Sequence, residues 1–427
     1  MFLKNIFFIY VFSLLSVFSF AQKSDKILNA TEVLRIVRFL ASDDLKGRKT
    51  GTPEIEKAAD FIAEEFKKSG LKMYNGLQTY KQSFTNIRSK FISATGNIDS
   101  SKIDASDIIT ISSDTLIKFN ELSGYKKIIV GNNDNLFFAA EDILKEQKNA
   151  IVFVHPFFKT DFNKLKRFKR DGLKTNFSVI FVLANTEGNK YEFEIKNKIT
   201  ELNFTNIVAV LPGKKLKDDF VVFSGHYDHI GTSKPNAKGD SVFNGANDDA
   251  AGTTAVIMLA NYFAKLKNNE RTLVFVAFTA EEIGGFGSQY FSKNINPDKV
   301  VAMFNLEMIG TESKWGKNSA YITGFEKSDF GKILQQNLKG SAFRFEPDPY
   351  PKENLFYRSD NATLAALGVP AHTISTSKMD NEPNYHKVSD EIASLDMNNM
   401  AEVIKAIALS SKTIVSGKDT PTRVVKQ

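Results

Sequence analysis

The chain has 427 residues, 42% of them hydrophobic and 25% charged, with a formal charge of +7 and no cysteine. That length and composition exclude a fibrous, disordered or miniature protein, and the missing thiols exclude disulfides, thiolate nucleophiles, iron–sulfur clusters and thiolate zinc sites, so any metal must be held by His, Asp and Glu. Basic and acidic residues are interspersed over most of the chain, and the densest basic run, KLKRFKR at 164–170, stands in no nucleic-acid motif, so no nucleic-acid partner is expected.

Residues 1–21 read as a secretory signal peptide: Lys4 is the only charge, the centre is apolar, and the SFA end suits cleavage between Ala21 and Gln22. No cysteine follows it to carry a lipid, and no later stretch approaches the roughly 18 apolar residues of a membrane span. An exported chain, periplasmic or secreted and without a membrane anchor, is expected. Its remaining length suits two domains or one enlarged domain.

From residue 22 to about 90 the spacing predicts helices. TEVLRIVRFL (31–40) offers one apolar face, and the helix from Pro53 has Thr52 as its cap and Gly70 at its end. Residues 91–203 change texture to short β-branched and aromatic runs such as DIITIS, AIVFVHPFF and SVIFVLA, which predict a β-rich inserted accessory domain; His155 there reads as structural or incidental. From 204 to 411 strands alternate with helices, the order of an α/β domain with a mostly parallel central sheet, in which functional residues collect beyond strand ends. Residues 412–427 read as a loose tail or an edge element.

Within that α/β stretch the chemistry-bearing residues recur at the ends of predicted strands. VVFSGHYDHIG (221–231) places His226 at a strand end with Asp228 two residues on, an arrangement in which one ring nitrogen could bind metal while an acid fixes the other. A lone strand-end histidine is more often structural, and His229 could take the same role. NGANDDAAG puts Asp248 and Asp249 in a turn before an apolar helix, where acids are also ordinary N-terminal caps. TAEEIGGFGS delivers adjacent Glu281 and Glu282, one able to hold metal while its neighbour handles a proton. Glu307 sits in the apolar run VVAMFNLEMIG, where burial without a partner would be costly, and His386 in NYHKVSDE precedes the last helix. Together they favour a metal centre over any fragment's separate explanation; nitrogen and oxygen donors fit zinc, and the same donors also admit cobalt, manganese or iron.

GHYDH, GANDDAAG, TAEEIGGFGS, NLEMIG, YRSD and YHKVSDE, in this order, together with ASDDLKGRKTGTPE near the start, resemble the zinc peptidase family of bacterial secreted dizinc aminopeptidases, glutamate carboxypeptidases and glutaminyl cyclases. The resemblance implies a three-layer zinc exopeptidase fold and two zinc ions per chain. It implies that His226 and Glu307 hold one ion, Glu282 and His386 the other, and that Asp248 bridges them. Glu281 would be the general base, Asp228 would orient His226, Asp249 would shape the turn, and Tyr385 would touch substrate. The implied activity is aminopeptidase cleavage of peptides with a free N-terminus. Glutaminyl cyclase and a noncatalytic peptide-binding protein on the same fold are the alternatives, and no oligomeric state is implied. Two positions depart from the family pattern: Glu307 stands where Asp is common, and Asn361 where many relatives have His.

Overall fold

The computed structural model describes residues 26–168, 172–184 and 188–427; the expected signal peptide and the end of the KLKRFKR run lie outside the described residues. The chain divides into two compact units, one made of the residues up to Phe84 together with Phe204–Gln427, the other of Thr85–Asn203. The long strands Lys81–Ile98 and β1 (Tyr191–Leu211) lead the chain out of the first unit and back into it.

The first unit is built on β2 (Leu216–His226), β3 (Arg271–Phe278), β4 (Val300–Leu306), β5 (Ser319–Ile322), β6 (Arg344–Pro347) and β7 (Ala371–Ser375). Side by side, β3, β2, β4 and β7 run parallel. The end of β1 joins β3 antiparallel, β5 joins β7 antiparallel, and β6 extends β5 in parallel. The sheet is thus parallel at its centre and mixed overall. RTLVFVAF in β3 is buried at every position, the pattern of a strand covered on both faces.

Alternate strand residues supply two separate cores. Val221, Phe223, Phe275 and Phe304 pack beneath the helices Ala30–Leu40, Pro53–Lys68, Gly252–Leu266 and Met397–Ser410. On the other face Val222, Val276, Met303 and Ala371 meet Phe291 and Leu364 of the helices Phe286–Lys293 and Asn361–Ala366. This is the three-layer α/β architecture that the alternation of strands and helices predicts.

Local details differ from the sequence expectation in three places. Pro53 opens its helix, yet the Thr52 hydroxyl donates to the Lys49 carbonyl (2.7 Å) instead of capping. The C-terminal residues are not loose: Arg271 donates to the Ile414 and Asp419 carbonyls, Arg423 to the Val300 carbonyl, and Val424 is buried in the second core. The third difference lies in the second unit. Its sheet runs Ile108–Ser112, Ser178–Leu183, Ala150–Val154, Lys126–Val130, parallel but for the first pair. The helix Leu136–Lys145, capped by Asn135, packs Leu136, Ala140 and Ile143 on it, so this unit is α/β as well as rich in strands. His155 caps the turn that follows its strand by accepting from the Phe157 amide.

Phe223 stacks on both Phe275 and Phe304, with centroids 5.5 and 4.8 Å away. Phe223→Ala is expected to lower the unfolding free energy by about 3–5 kcal/mol, read as a fall in the urea midpoint.

Candidate metal centre

The parallel strands end on one level, and the chain leaves each end carrying a polar side chain. His226 is the last residue of β2; Glu281 and Glu282 follow β3 across a tight turn in which Ala280 has φ +60°; Glu307 follows β4 directly. Asp248 enters from the turn Ala246–Ala251, which starts the helix Gly252–Leu266, and His386 from the loop before the last helix. The turn passes so close to β4 that a Cβ at Gly252 would lie 2.1 Å from the Leu306 carbonyl oxygen and 2.4 Å from the Asp249 carboxylate, which only glycine tolerates.

Asp248 stands in the middle of the donors. Its Oδ1 is 3.2 Å from His226 Nε2, which is also 3.3 Å from Glu307 Oε1. Its Oδ2 is 3.3 Å from His386 Nε2, which is 3.1 Å from Glu282 Oε2. Two donor groups therefore share one carboxylate. His229 joins the second: its Nδ1 lies 2.6 Å from Glu282 Oε1 and 3.9 Å from Asp248 Oδ2. Glu281 Oε2 lies 4.0 Å from His226 Nε2, and the Tyr385 ring stacks on His386 at 3.9 Å. A cleft opens onto Asp248, Glu281, Glu307 and His386, with Tyr321, Met379 and Tyr385 among its walls.

The electrostatics call for a cation. Burial disfavours a charged His226, yet Glu307, Asp228 and Asp248 outweigh it and raise its pKa well above the ordinary value. Contact with Asp248 and Glu282 pushes His386 up to about 10. Burial, with Glu307, Asp360 and Glu282 adding repulsion, drives Glu281 well above the usual carboxylate range, against the pull of His226. The donor set fits a zinc-type ion on a further observation: His229 Nε2 is buried without a hydrogen-bond partner, and His229 Nδ1 and Glu282 Oε1 are buried with only each other close by, at 2.6 Å and out of line for a hydrogen bond. Each subset, His226, Asp248 and Glu307 or His229, Asp248 and Glu282, brings its ligand atoms within 4.8 Å of one another.

The surroundings hold these groups by backbone contacts that sequence reasoning missed. Asp249 accepts from the amides of His226, Gly252 and Met308. Asp390 accepts from the amides of Asn247 (2.9 Å) and Asp248 (3.0 Å). Arg48, fully buried, donates to the carbonyls of Leu40, Tyr227, Asn244 and Gly245. Asp228 differs from its expected role. His226 Nδ1 meets the Asp228 backbone carbonyl at 3.1 Å while the carboxylate is 3.7 Å away, too far for a hydrogen bond. That carboxylate instead accepts from the amides of Glu281 and Glu282 and from Thr50. Buried polar residues such as Arg48 and Asp390 were the available signal, since a fully buried charge needs partners.

Residues 206–410 match Peptidase family M28. A probable zinc metalloprotease of Pyrenophora tritici-repentis is 37% identical over 123 residues, 28% of each chain, and a probable leucine aminopeptidase of Trichophyton verrucosum is 28% identical over 240 residues, 53% of this chain and 59% of that one. The match thus spans little more than a quarter of the length of the first of these relatives. Among solved structures, an aminopeptidase from Aneurinibacillus sp. strain AM-1 has a TM-score of 0.55 at 17% identity, covering 95% of this chain and 97% of its own. A glutaminyl cyclase of Porphyromonas gingivalis has a TM-score of 0.51 at 14% identity, covering 91% and 99%; both likenesses are of fold. The stretch that matches Peptidase family M28, residues 206–410, carries every side chain of the donor cluster.

Proposed function

We propose that the chain is a zinc-dependent aminopeptidase that hydrolyses N-terminal residues from peptides. The observation that carries this reading is Asp248 with one oxygen toward His226 and Glu307 and the other toward His386 and Glu282, beside Glu281, which lines the same cleft. Two zinc ions would be held, one by His226 and Glu307, the other by Glu282 and His386, with Asp248 between them and His229 beside the second. Zinc bound there supplies a lowered water pKa and polarisation of the scissile carbonyl. Glu281, on the cleft and 4.0 Å from His226 Nε2, takes the proton of the attacking water and returns it to the departing amine. Asp228 serves that step by fixing the Glu281 and Glu282 amides, and Tyr385 holds His386 by stacking and faces substrate.

The names of the relatives and the fold likeness support peptides with a free N-terminus as substrates. Residues 1–21 act as the export signal, the mature chain works in the periplasm or outside the cell, and residues 91–203 are an accessory module to the catalytic stretch 204–411. Among the described residues no helix is long and apolar enough to cross a membrane.

Three measurements test the reading. Purified protein from residue 22 onward should contain about two zinc ions and hydrolyse aminoacyl amides but not their N-blocked forms; cyclisation of N-terminal glutamine without hydrolysis would overturn it in favour of the cyclase. Dialysis against a chelator should abolish turnover, and added zinc should restore it. Glu281→Gln should keep its metal and lose about 10²–10⁴-fold in kcat, since only the proton acceptor is removed; wild-type turnover in that variant contradicts the base assignment.

A further inference from the structure

Three small polar side chains interrupt the apolar strands at one level. Ser224, Asn305 and Thr373 are register partners across β2, β4 and β7, and all three are buried. Their hydrogen bonds have a fixed direction. Asn361 donates through Nδ2 to the backbone carbonyls of Phe356 (2.8 Å) and Ala371 (3.1 Å), so its Oδ1 must face Thr373 and accept from that hydroxyl at 2.9 Å. Thr373, its proton spent, accepts from Asn305 Nδ2 at 3.2 Å, and Asn305 Oδ1 on the far side accepts from Ser224 at 2.8 Å. The second proton of Asn305 Nδ2 goes to Ser359 Oγ at 2.8 Å, which leaves the Ser359 proton for Glu307 Oε2 at 2.6 Å.

We infer that Asn361, Thr373, Asn305 and Ser359 form a directional relay that commits one oxygen of Glu307 to Ser359, so that this longer-than-usual side chain offers a single oxygen, Oε1, to the metal. The inference rests on the proposed role of Glu307 as a ligand. The two departures from the family pattern, Glu307 and Asn361, are then the two ends of one chain of hydrogen bonds. Glutamate has one more rotatable bond than aspartate and can turn either oxygen, or both, toward a cation; a donor fixed on Oε2 removes that choice. Ser359 and Thr373 are positioning residues in this scheme, acting through Glu307.

The test is a double-mutant cycle read by zinc affinity, using competition with a chromogenic chelator, together with separate kcat and KM values. Ser359→Ala should weaken one of the two zinc affinities about 10–100-fold, lower kcat with little change in KM, and leave the melting temperature of the metal-free protein near wild type. Ser359→Thr, which keeps the hydroxyl, should recover most of the loss, and Thr373→Val, which removes the acceptor of Asn305 Nδ2, should weaken zinc in the same direction. In the Glu307→Asp background the shorter carboxylate no longer reaches Ser359, so Ser359→Ala should have much less effect there. Zinc affinity unchanged by Ser359→Ala, or lost equally in both backgrounds, overturns the inference while the metal reading stands; wild-type protein that binds no zinc overturns both.

Discussion

Asp248 can face two groups of donors at once because its backbone is held from behind. Asp390 accepts from the amides of Asn247 and Asp248, and Arg48 gathers the carbonyls of Asn244 and Gly245 just before them with that of Tyr227 beside His226. A buried guanidinium and a buried carboxylate thus clamp the turn to the end of β2 without using any atom that points into the cleft. Burying such charges is costly in isolation; multiple hydrogen bonds to each make the arrangement tolerable, and the same bonds make it specific. The distances from Asp248 to both donor groups depend on this clamp.

Much of the fold could be read from the sequence because its strands are strong signals. RTLVFVAF, VVFSG and VVAMFNL announce buried parallel strands, and the helices Pro53–Lys68 and Met397–Ser410 lie where apolar spacing puts them. The helix Leu136–Lys145 was hidden by the β-branched texture on either side, although Asn135 before Leu136, Ala140 and Ile143 carries its cap and spacing. The packed C-terminus escaped because its anchors are hydrogen bonds donated by Arg271 to the Ile414 and Asp419 carbonyls and by Arg423 to the Val300 carbonyl, which no pattern in the residues 412–427 reveals.

The candidate site was legible in its donors and not in their support. Imidazoles and carboxylates at strand ends stand out in an apolar context, and His226, Asp248, Glu282, Glu307 and His386 do come together. His229 was visible only as a rival to His226; the structure sets it against Glu282 on the other side of Asp248. Which group a carboxylate serves is a matter of a few tenths of an ångström, and so the turn of Asp228 toward the Glu281 and Glu282 amides, leaving its own carbonyl to His226, could not be inferred from spacing.

The polar row Ser224, Asn305 and Thr373 also bears on how the sheet assembles. Apolar runs as uniform as VVF of β2 and VAMF of β4 could slide past one another by two residues and still bury hydrocarbon on both faces. Such a slide would separate the polar side chains and break the bonds from Ser224 to Asn305 and from Asn305 to Thr373 inside the sheet. The row therefore acts as a set of index marks for strand alignment, and the level at which these strand ends deliver their side chains is held inside the sheet as well as by the loops.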